Sequence, residues 1–404
     1  MPRKTSSNVN KYTLTSFFSG VGGIELGFEQ TQKFKTIYSN EFDKNAQITF
    51  LENFPEHKLD KRDIHDVCSS EVPNSDIVVG GFPCQAFSIA GYQKGFEDER
   101  GDLFFELLRI VKDKKPEAIF IENVKNMVTH DNGNTFKVIR QALTLNGYNI
   151  KWKVMNSKDY GDIPQNRERI YIVGFRDNKS FDKFQFPDKI LLKSSLTSVI
   201  NFKDKVDEKY YYKEGKQPFY HILFDEIKDS NAIYQWRRKY VRMNKNGVVP
   251  TLTANMGTGG HNVPIIKTEH GIRKLTPRET FNVQGFPESF KLPAQISNGQ
   301  LYKQSGNSVV VPLIKRIAEN ISIALDNGNP NSTDYKEQST LKFNIIHSKI
   351  YGRFEGESKV IFSSDTLQDL ETFALNNKIS FISNSDYLKA IKKDKVTEFY
   401  SFLS

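Results

Sequence analysis

The chain has 404 residues, a formal charge of +9 and a pI near 9.1, with only two cysteines and seven histidines. That length supports more than one domain, and the basic balance points to an anionic partner, with nucleic acid the first expectation. No apolar run approaches the roughly 20 residues of a membrane span. No HExxH or CxxC spacing marks a metal site, so no metal is expected, and the sparse cysteines with no secretory signal indicate a reducing, cytoplasmic setting.

Along the first 175 residues strand-like and helix-like segments alternate. Leu14–Phe18 is apolar and β-prone, a glycine cluster follows, and a helical pattern runs to Glu29. Thr36–Asn40 reads as a strand and Asp43–Asn53 as a helix. Ile77–Val79 is a short buried strand, Asp102–Lys112 a helix, Glu117–Glu122 a strand, Thr135–Leu145 a helix and Ile170–Phe175 a strand. Such alternation predicts a mostly parallel sheet covered on both faces. From about Asp177 to Gln300 the order fades into Lys, Tyr, Asn, Gly and Thr, with short strands at best. Residues 176–270 hold 17 Lys and Arg against 11 Asp and Glu, a surplus of six, whereas residues 331–404 hold ten of each. Val309–Leu325 again has helical spacing, Asp326–Asp334 is a linker by composition, and the remainder mixes strand and helix patterns.

Four places along the chain carry chemistry. Phe18-Ser-Gly-Val-Gly-Gly23 opens the first helix; its glycines admit a ligand to the backbone and the helix start favours negative charge. Glu25 stands where the dinucleotide fingerprint has its third glycine, and Glu41 lies at the end of the second strand, where a carboxylate accepts from ribose hydroxyls. This pair reads as an adenosine-type site with no demand for pyrophosphate. Cys84, in Gly81-Phe-Pro-Cys-Gln85, sits just past the carboxyl end of a strand, where open α/β sheets place reacting groups. A free cysteine is more often a small buried hydrophobe, but the glycine-bearing loop from Gln85 to Gly101 is long enough to be functional. Glu122 ends another strand and is expected at the same edge. Arg167 and Arg169 alternate to one side and suit a carboxylate, phosphate or base.

These blocks resemble the cytosine-C5 DNA methyltransferase family, of the bacterial restriction–modification type, in order over residues 12–325. Phe18–Gly23 looks like its S-adenosylmethionine loop, Asn40-Glu41 its ribose-binding acid, Gly81–Gln85 its catalytic loop, Glu122-Asn-Val its ENV block and Gln165-Asn-Arg-Glu-Arg169 its QxRxR block. Arg278-Glu279 through Gln284-Gly-Phe-Pro287 resembles the block closing the recognition region, and Leu301–Val310 the last block, whose helix returns to the cofactor domain. One departure is visible: Arg62-Asp63-Ile64 stands where the family often has Gly-Asp-Ile.

The resemblance implies a Rossmann-like α/β catalytic domain over residues 1–180 and a smaller, irregular or β target-recognition domain over 181–300. Residues 301–328 return to the catalytic domain, and 335–404 form an α+β extension of open role. It implies S-adenosyl-L-methionine as cofactor, held by Phe18, Gly20, Gly22, Gly23, Glu41, Asp63, Ile64 and Asn307. Cys84 is implied as the nucleophile on C6 of cytosine, Glu122 as proton donor to N3, and Arg167 and Arg169 as orienting groups in the catalytic set; Cys68 is expected to be replaceable. Double-stranded DNA is the expected partner, contacted by Gln85, Ser88, Arg100, Arg237, Arg238, Arg242 and Thr253. A monomer is expected, linked to a restriction endonuclease by function rather than by contact. A tRNA-modifying member of the family and a non-catalytic DNA-binding regulator are the alternatives.

Overall fold

The computed structural model describes residues 11–83, 103–244, 246–257 and 263–328, together with the strand segments 340–346, 349–354, 362–364 and 380–381 of the tail. Seven strands form the central sheet: β1 (Tyr12–Phe17), β2 (Phe34–Asn40), β3 (Leu59–Asp60), β4 (Ile77–Gly80), β5 (Ala118–Val124), β6 (Asn149–Asn156) and β8 (Glu168–Phe175), with β7 (Gln165–Asn166) outside it. Their order is β3-β2-β1-β4-β5-β8-β6. The first five are mutually parallel, and β8 and β6 run antiparallel to their neighbours. The sheet is mostly parallel, as expected, and is mixed only because β8 runs against the other six strands. β6 goes unmarked in the sequence reading because lysines interrupt Ile150, Trp152 and Val154; Lys151 is nevertheless buried, its Nζ donating to the Phe184 carbonyl at 2.6 Å.

Strands β4 (Ile-Val-Val-Gly) and β5 are apolar through most of their length because both faces are covered. The period of two sorts their side chains. Val78, Ile119 and Ile121 face one side, beneath α3 (Leu103–Lys114) and α4 (Asn134–Leu145), with Phe104, Leu107, Phe136 and Ile139. Ile77, Val79 and Phe120 face the other, beneath α1 (Gly23–Glu29) and the long α6 (Val311–Asn327), with Phe28, Leu313, Ile317 and Ile321. Emptying any of these sealed aromatic sites would cost about 3–5 kcal/mol. Helix α6 thus comes back from the far end of the chain to lie against α1.

The registers align the carboxyl ends of the parallel strands. Phe17 pairs with Asn40 and with Gly80, and Gly80 with Ile121. Because β8 is antiparallel, its amino end lies at that same edge, with Val124 opposite Arg169 and Glu122 opposite Tyr171. Glu41, Glu122 and Arg169 therefore converge on one edge of one sheet.

A second sheet, in the order β10-β9-β12-β13, consists of β9 (Ile233–Trp236), β10 (Val241–Asn244), β12 (Ile265–Thr268) and β13 (Gly271–Lys274). It joins the catalytic edge through β11 (Val249–Pro250), which pairs in parallel with β7, Val249 opposite Gln165. In the tail, strands Thr340–Ile346, Lys349–Phe354, Phe362–Ser364 and Ser380–Phe381 form a further four-stranded sheet. The helical segments expected there, Thr366–Leu375 and Asp386–Lys393, lie outside the described residues.

Candidate active site and nucleic-acid interface

The glycine loop leaves β1 in a left-handed step. Phe18 and Gly20 have φ of 57° and 55°, and Gly22, at 88°, precedes α1. The glycines differ in purpose. A Cβ on Gly20 would meet nothing within 4 Å, so the backbone is open on this side. A Cβ on Gly22 would strike the Phe54 ring, and one on Gly23 would press on Ser308 and Val309 of the segment preceding α6. Those two serve close packing, and the second explains why the last sequence block and the first come together. Phe18 is partly buried, edge-on to Phe82 at 6.4 Å.

Glu41 closes the loop from the neighbouring strand. Its Oε2 accepts from the Gly20 amide and its Oε1 from the Asp43 amide, each at 2.6 Å. Burial pushes its carboxyl above the usual range, against the pull of those two donors. Asp63 caps the turn of Ile64–Asp66, its Oδ1 accepting from the His65 amide at 3.1 Å and facing the His65 Nδ1 at 2.6 Å, while Ile64 is buried. The departure at Arg62 is absorbed on the outside: the guanidinium pairs with Asp60 at 2.7 Å and Glu71 at 3.0 Å, and only the Arg62 carbonyl turns inward, accepting from Asn40. Asn307 ends α5 (Asn298–Asn307) and is exposed, one residue before the Ser308 that packs on Gly23. The edge thus offers an open backbone at Gly20 and a fixed carboxylate able to accept from the ribose hydroxyls of an adenosine-type cofactor.

Glu122 lies at the centre of the catalytic edge. Its side chain is buried, 3.2 Å from Arg169 Nε, close enough for an ion pair but without an aligned hydrogen bond to Oε1. Burial drives its carboxyl upward, opposed by the charges of Arg169 and then Arg167. A Cβ on Gly81 would stand 3.6 Å from Glu122 Oε2, so the carboxyl faces the start of the Gly81-Phe-Pro segment. The neighbouring Asn123 donates through Nδ2 to the Phe82 carbonyl at 2.8 Å. Cys84, two residues further on, lies outside the described residues, as do Gln85, Ser88 and Arg100.

Arg167 has a different setting from the one expected of a catalytic group. It is 2% exposed, and its guanidinium donates to the carbonyls of Leu252 at 2.8 Å, Gly306 at 3.2 Å and Ser308. It is a brace between three chain segments, and only its charge reaches Glu122. Gln165 acts likewise, donating to the Val283 carbonyl at 2.8 Å and to Gln284 Oε1 at 3.1 Å, while Gln284 donates to the Ser305 carbonyl at 2.7 Å. Gly306 is required because a Cβ would collide with the Thr253 backbone. Glu279 holds buried Arg273 with both oxygens, at 2.7 and 2.8 Å, and closes a capping box with Thr276. Much of the late sequence blocks is therefore an interlock that fixes the second sheet to the catalytic edge.

Between the two lies a polar cleft of about 720 Å³. Arg237, Arg242 and Thr253, expected to contact DNA, line it together. Arg238, expected with them, sits at the hairpin turn with φ of 65° and is exposed outside that lining. Gln235, within the basic stretch Tyr234–Arg242 whose Gln and Arg side chains suit base edges, lines the cleft too. So do Asn244 and Asn166, which sequence reasoning did not single out as DNA contacts; strand alternation around Ile233 was the available signal for Asn244. Among the described residues no group of His, Cys, Asp and Glu is arranged to hold a metal, and no helix is long and apolar enough to cross a membrane. Cys68, the other thiol, is exposed on a surface turn, 3.0 Å from Ser70 Oγ.

Comparison with known proteins accords with this geometry. The family profile of C-5 cytosine-specific DNA methylases matches residues 12–323. Type II methyltransferase M.Bsp6I of Bacillus sp. (strain RFL6) is 60% identical over 309 residues, covering 76% of this chain and 98% of the relative. M.HhaI of Haemophilus parahaemolyticus is 39% identical over 330 residues, covering 76% and 94%. Among solved structures, a DNMT2 mutant from Spodoptera frugiperda superposes with a TM-score of 0.60 at 21% identity, over 77% of this chain and 99% of that one, a likeness of fold. The chain belongs to the C-5 cytosine-specific DNA methylase family and is a sequence-specific DNA (cytosine-5) methyltransferase.

Proposed function

We propose that the protein flips a target cytosine out of duplex DNA, adds Cys84 to its C6 and methylates its C5. The observation that carries this reading is the placement of Glu122: a buried carboxyl facing Gly81 and Arg169, with Asn123 bonded to Phe82. Aromatic C5 is a poor nucleophile. A thiolate adding at C6 makes C5 enamine-like, and a thiolate can leave again. Charge then develops toward N3 and O2. Glu122, whose burial favours the protonated form, donates to N3, and Arg169 orients the ring through O2 while holding the carboxyl in place. The bound cofactor, S-adenosyl-L-methionine, supplies the methyl group as a sulfonium electrophile. Loss of the C5 proton to a base, followed by expulsion of Cys84, restores the double bond.

Phe18, Gly20, Glu41, Asp63, Ile64 and Asn307 would hold the cofactor, with Gly22 and Gly23 giving the loop its close packing. The base cannot be reached inside a stack, so extrusion costs a few kcal/mol, offset by contacts in the cleft and by the loop bearing Gln85, Ser88 and Arg100. Residues 1–180 with 301–328 act as the catalytic unit and 181–300 as the reader; 335–404 lie outside this scheme. The enzyme works as a cytoplasmic monomer protecting bacterial DNA from a partner endonuclease. Labelled S-adenosylmethionine offered with plasmid DNA and with tRNA tests the substrate: label enters DNA at cytosine C5 within a fixed sequence. Label confined to tRNA would overturn the reading.

A further inference from the structure

Gln235 occupies a place that the stability of the sheet does not explain. It sits mid-strand in β9, 6% exposed, and its Oε1 is sealed from solvent without a hydrogen bond. An unpaired buried polar group is costly to folding, and an apolar residue would suit that position better. Alternation separates the faces of β9. Tyr234 and Trp236 pack with Leu223, Ile227 and Ile272, while Ile233 packs with Val249, Leu252 and Met256. Gln235 shares the face of Ile233, and that face continues into the cleft.

The partner strand completes a row. Arg242 is paired with Gln235 and Asn244 with Ile233, so all three lie on the cleft face. Asn244 Nδ2 is also buried and donates to nothing. Arg237 and Arg242 have no acidic partner among the described residues. Two uncompensated guanidinium groups around unpaired amides suit a ligand that is anionic at its rim and presents donors and acceptors within. The groove of duplex DNA has that pattern, and a two-stranded ribbon such as β9–β10 fits its major groove.

We propose that Gln235 is a specificity-determining residue that reads one base edge beside the target cytosine in the major groove, with Arg242 and Asn244 in the same row. A carboxamide offers an acceptor and donors side by side, matching N6–H and N7 of adenine, and its oxygen alone matches N4–H of cytosine. The proposal rests on the duplex-reading role of the cleft.

The test uses the full chain on a duplex library with randomised flanks, with methylated cytosines mapped by sequencing. Gln235→Ala loses discrimination at one base-pair position by roughly ten- to a hundredfold, while preferences elsewhere persist. Gln235→Met, which keeps the stem and removes both polar edges, gives the same loss should the smaller side chain unsettle the strand. Gln235→Glu, with acceptors only, moves the preference at that position toward cytosine. A selective wild-type enzyme whose variants keep its profile, or lose rate uniformly without changing it, overturns the role of Gln235 alone. A wild-type enzyme with no flanking preference overturns that role together with the sequence-specific reading beneath it.

Discussion

The catalytic edge and the recognition cleft are built on opposite plans. At the edge, charged groups are held by the chain itself: Glu122 lies in ion-pair range of Arg169 with its Oε1 unbonded, Arg167 meets three carbonyls, and Glu41 meets two amides. In the cleft, Gln235 and Asn244 carry unpaired buried atoms, and Arg237 and Arg242 have no acidic partner among the described residues. The first plan fixes geometry before the substrate arrives, as chemistry requires. The second leaves bonding capacity to be filled by whatever sequence fits. Changes at the edge should therefore alter rate at constant affinity, and changes in the cleft should alter affinity or choice at constant chemistry.

The largest effect is expected from Cys84→Ser, which abolishes methyl transfer while DNA affinity, measured by titration of a labelled duplex, stays near that of the wild type. Glu122→Gln comes next. Its burial raises the folded carboxyl above its ordinary value, so the donor form is present below that raised pKa and lost as pH rises through it. Single-turnover rates of the wild type therefore decline on the alkaline side. The amide variant lacks the limb that Glu122 causes and is slower by about 10²–10⁴ at its best pH. An identical alkaline limb in the variant would remove Glu122 from the proton step.

Arg167→Ala tests the brace. It strips charged donors from three carbonyls, so thermal unfolding should show a loss of about 3 kcal/mol or more, with methylation falling because recognition segment and edge come apart. A variant as stable as wild type but inactive would return Arg167 to the catalytic set. The smallest effect belongs to the cleft rim. Arg237→Ala should weaken binding across sequences and lower the salt slope of log affinity by about one, leaving the single-turnover rate at saturation unchanged; a slower chemical step would blur the contrast between the two regions.

The same contrast separates what the sequence reveals from what it hides. Cofactor-edge residues are legible because chemistry demands particular types near strand ends: Glu41 after β2, Glu122 two residues before the end of β5, glycines after β1. The helix Val311–Asn327 is legible from its apolar period. Strand β6 is obscured because Lys151 is buried by a backbone carbonyl that lies 33 residues away in sequence. Arg167 reads as a catalytic partner of Arg169 because alternation gives direction, not length; only the fold shows that Leu252, Gly306 and Ser308 claim it. Gln235 is legible as a residue type suited to base edges, but its burial and its place in one row with Arg242 appear only once the register is set.

The central claim is that Cys84 adds to C6 of the flipped base beside Glu122. Duplex DNA carrying 5-fluorocytosine at the target position tests it most directly, because fluorine at C5 blocks the final elimination and holds the adduct. Peptide mass spectrometry should find the nucleotide, with the methyl group, bonded to Cys84, and should find none in Cys84→Ser. Methyl transfer to unmodified DNA with no trapped adduct, or an adduct on Cys68, would contradict the account.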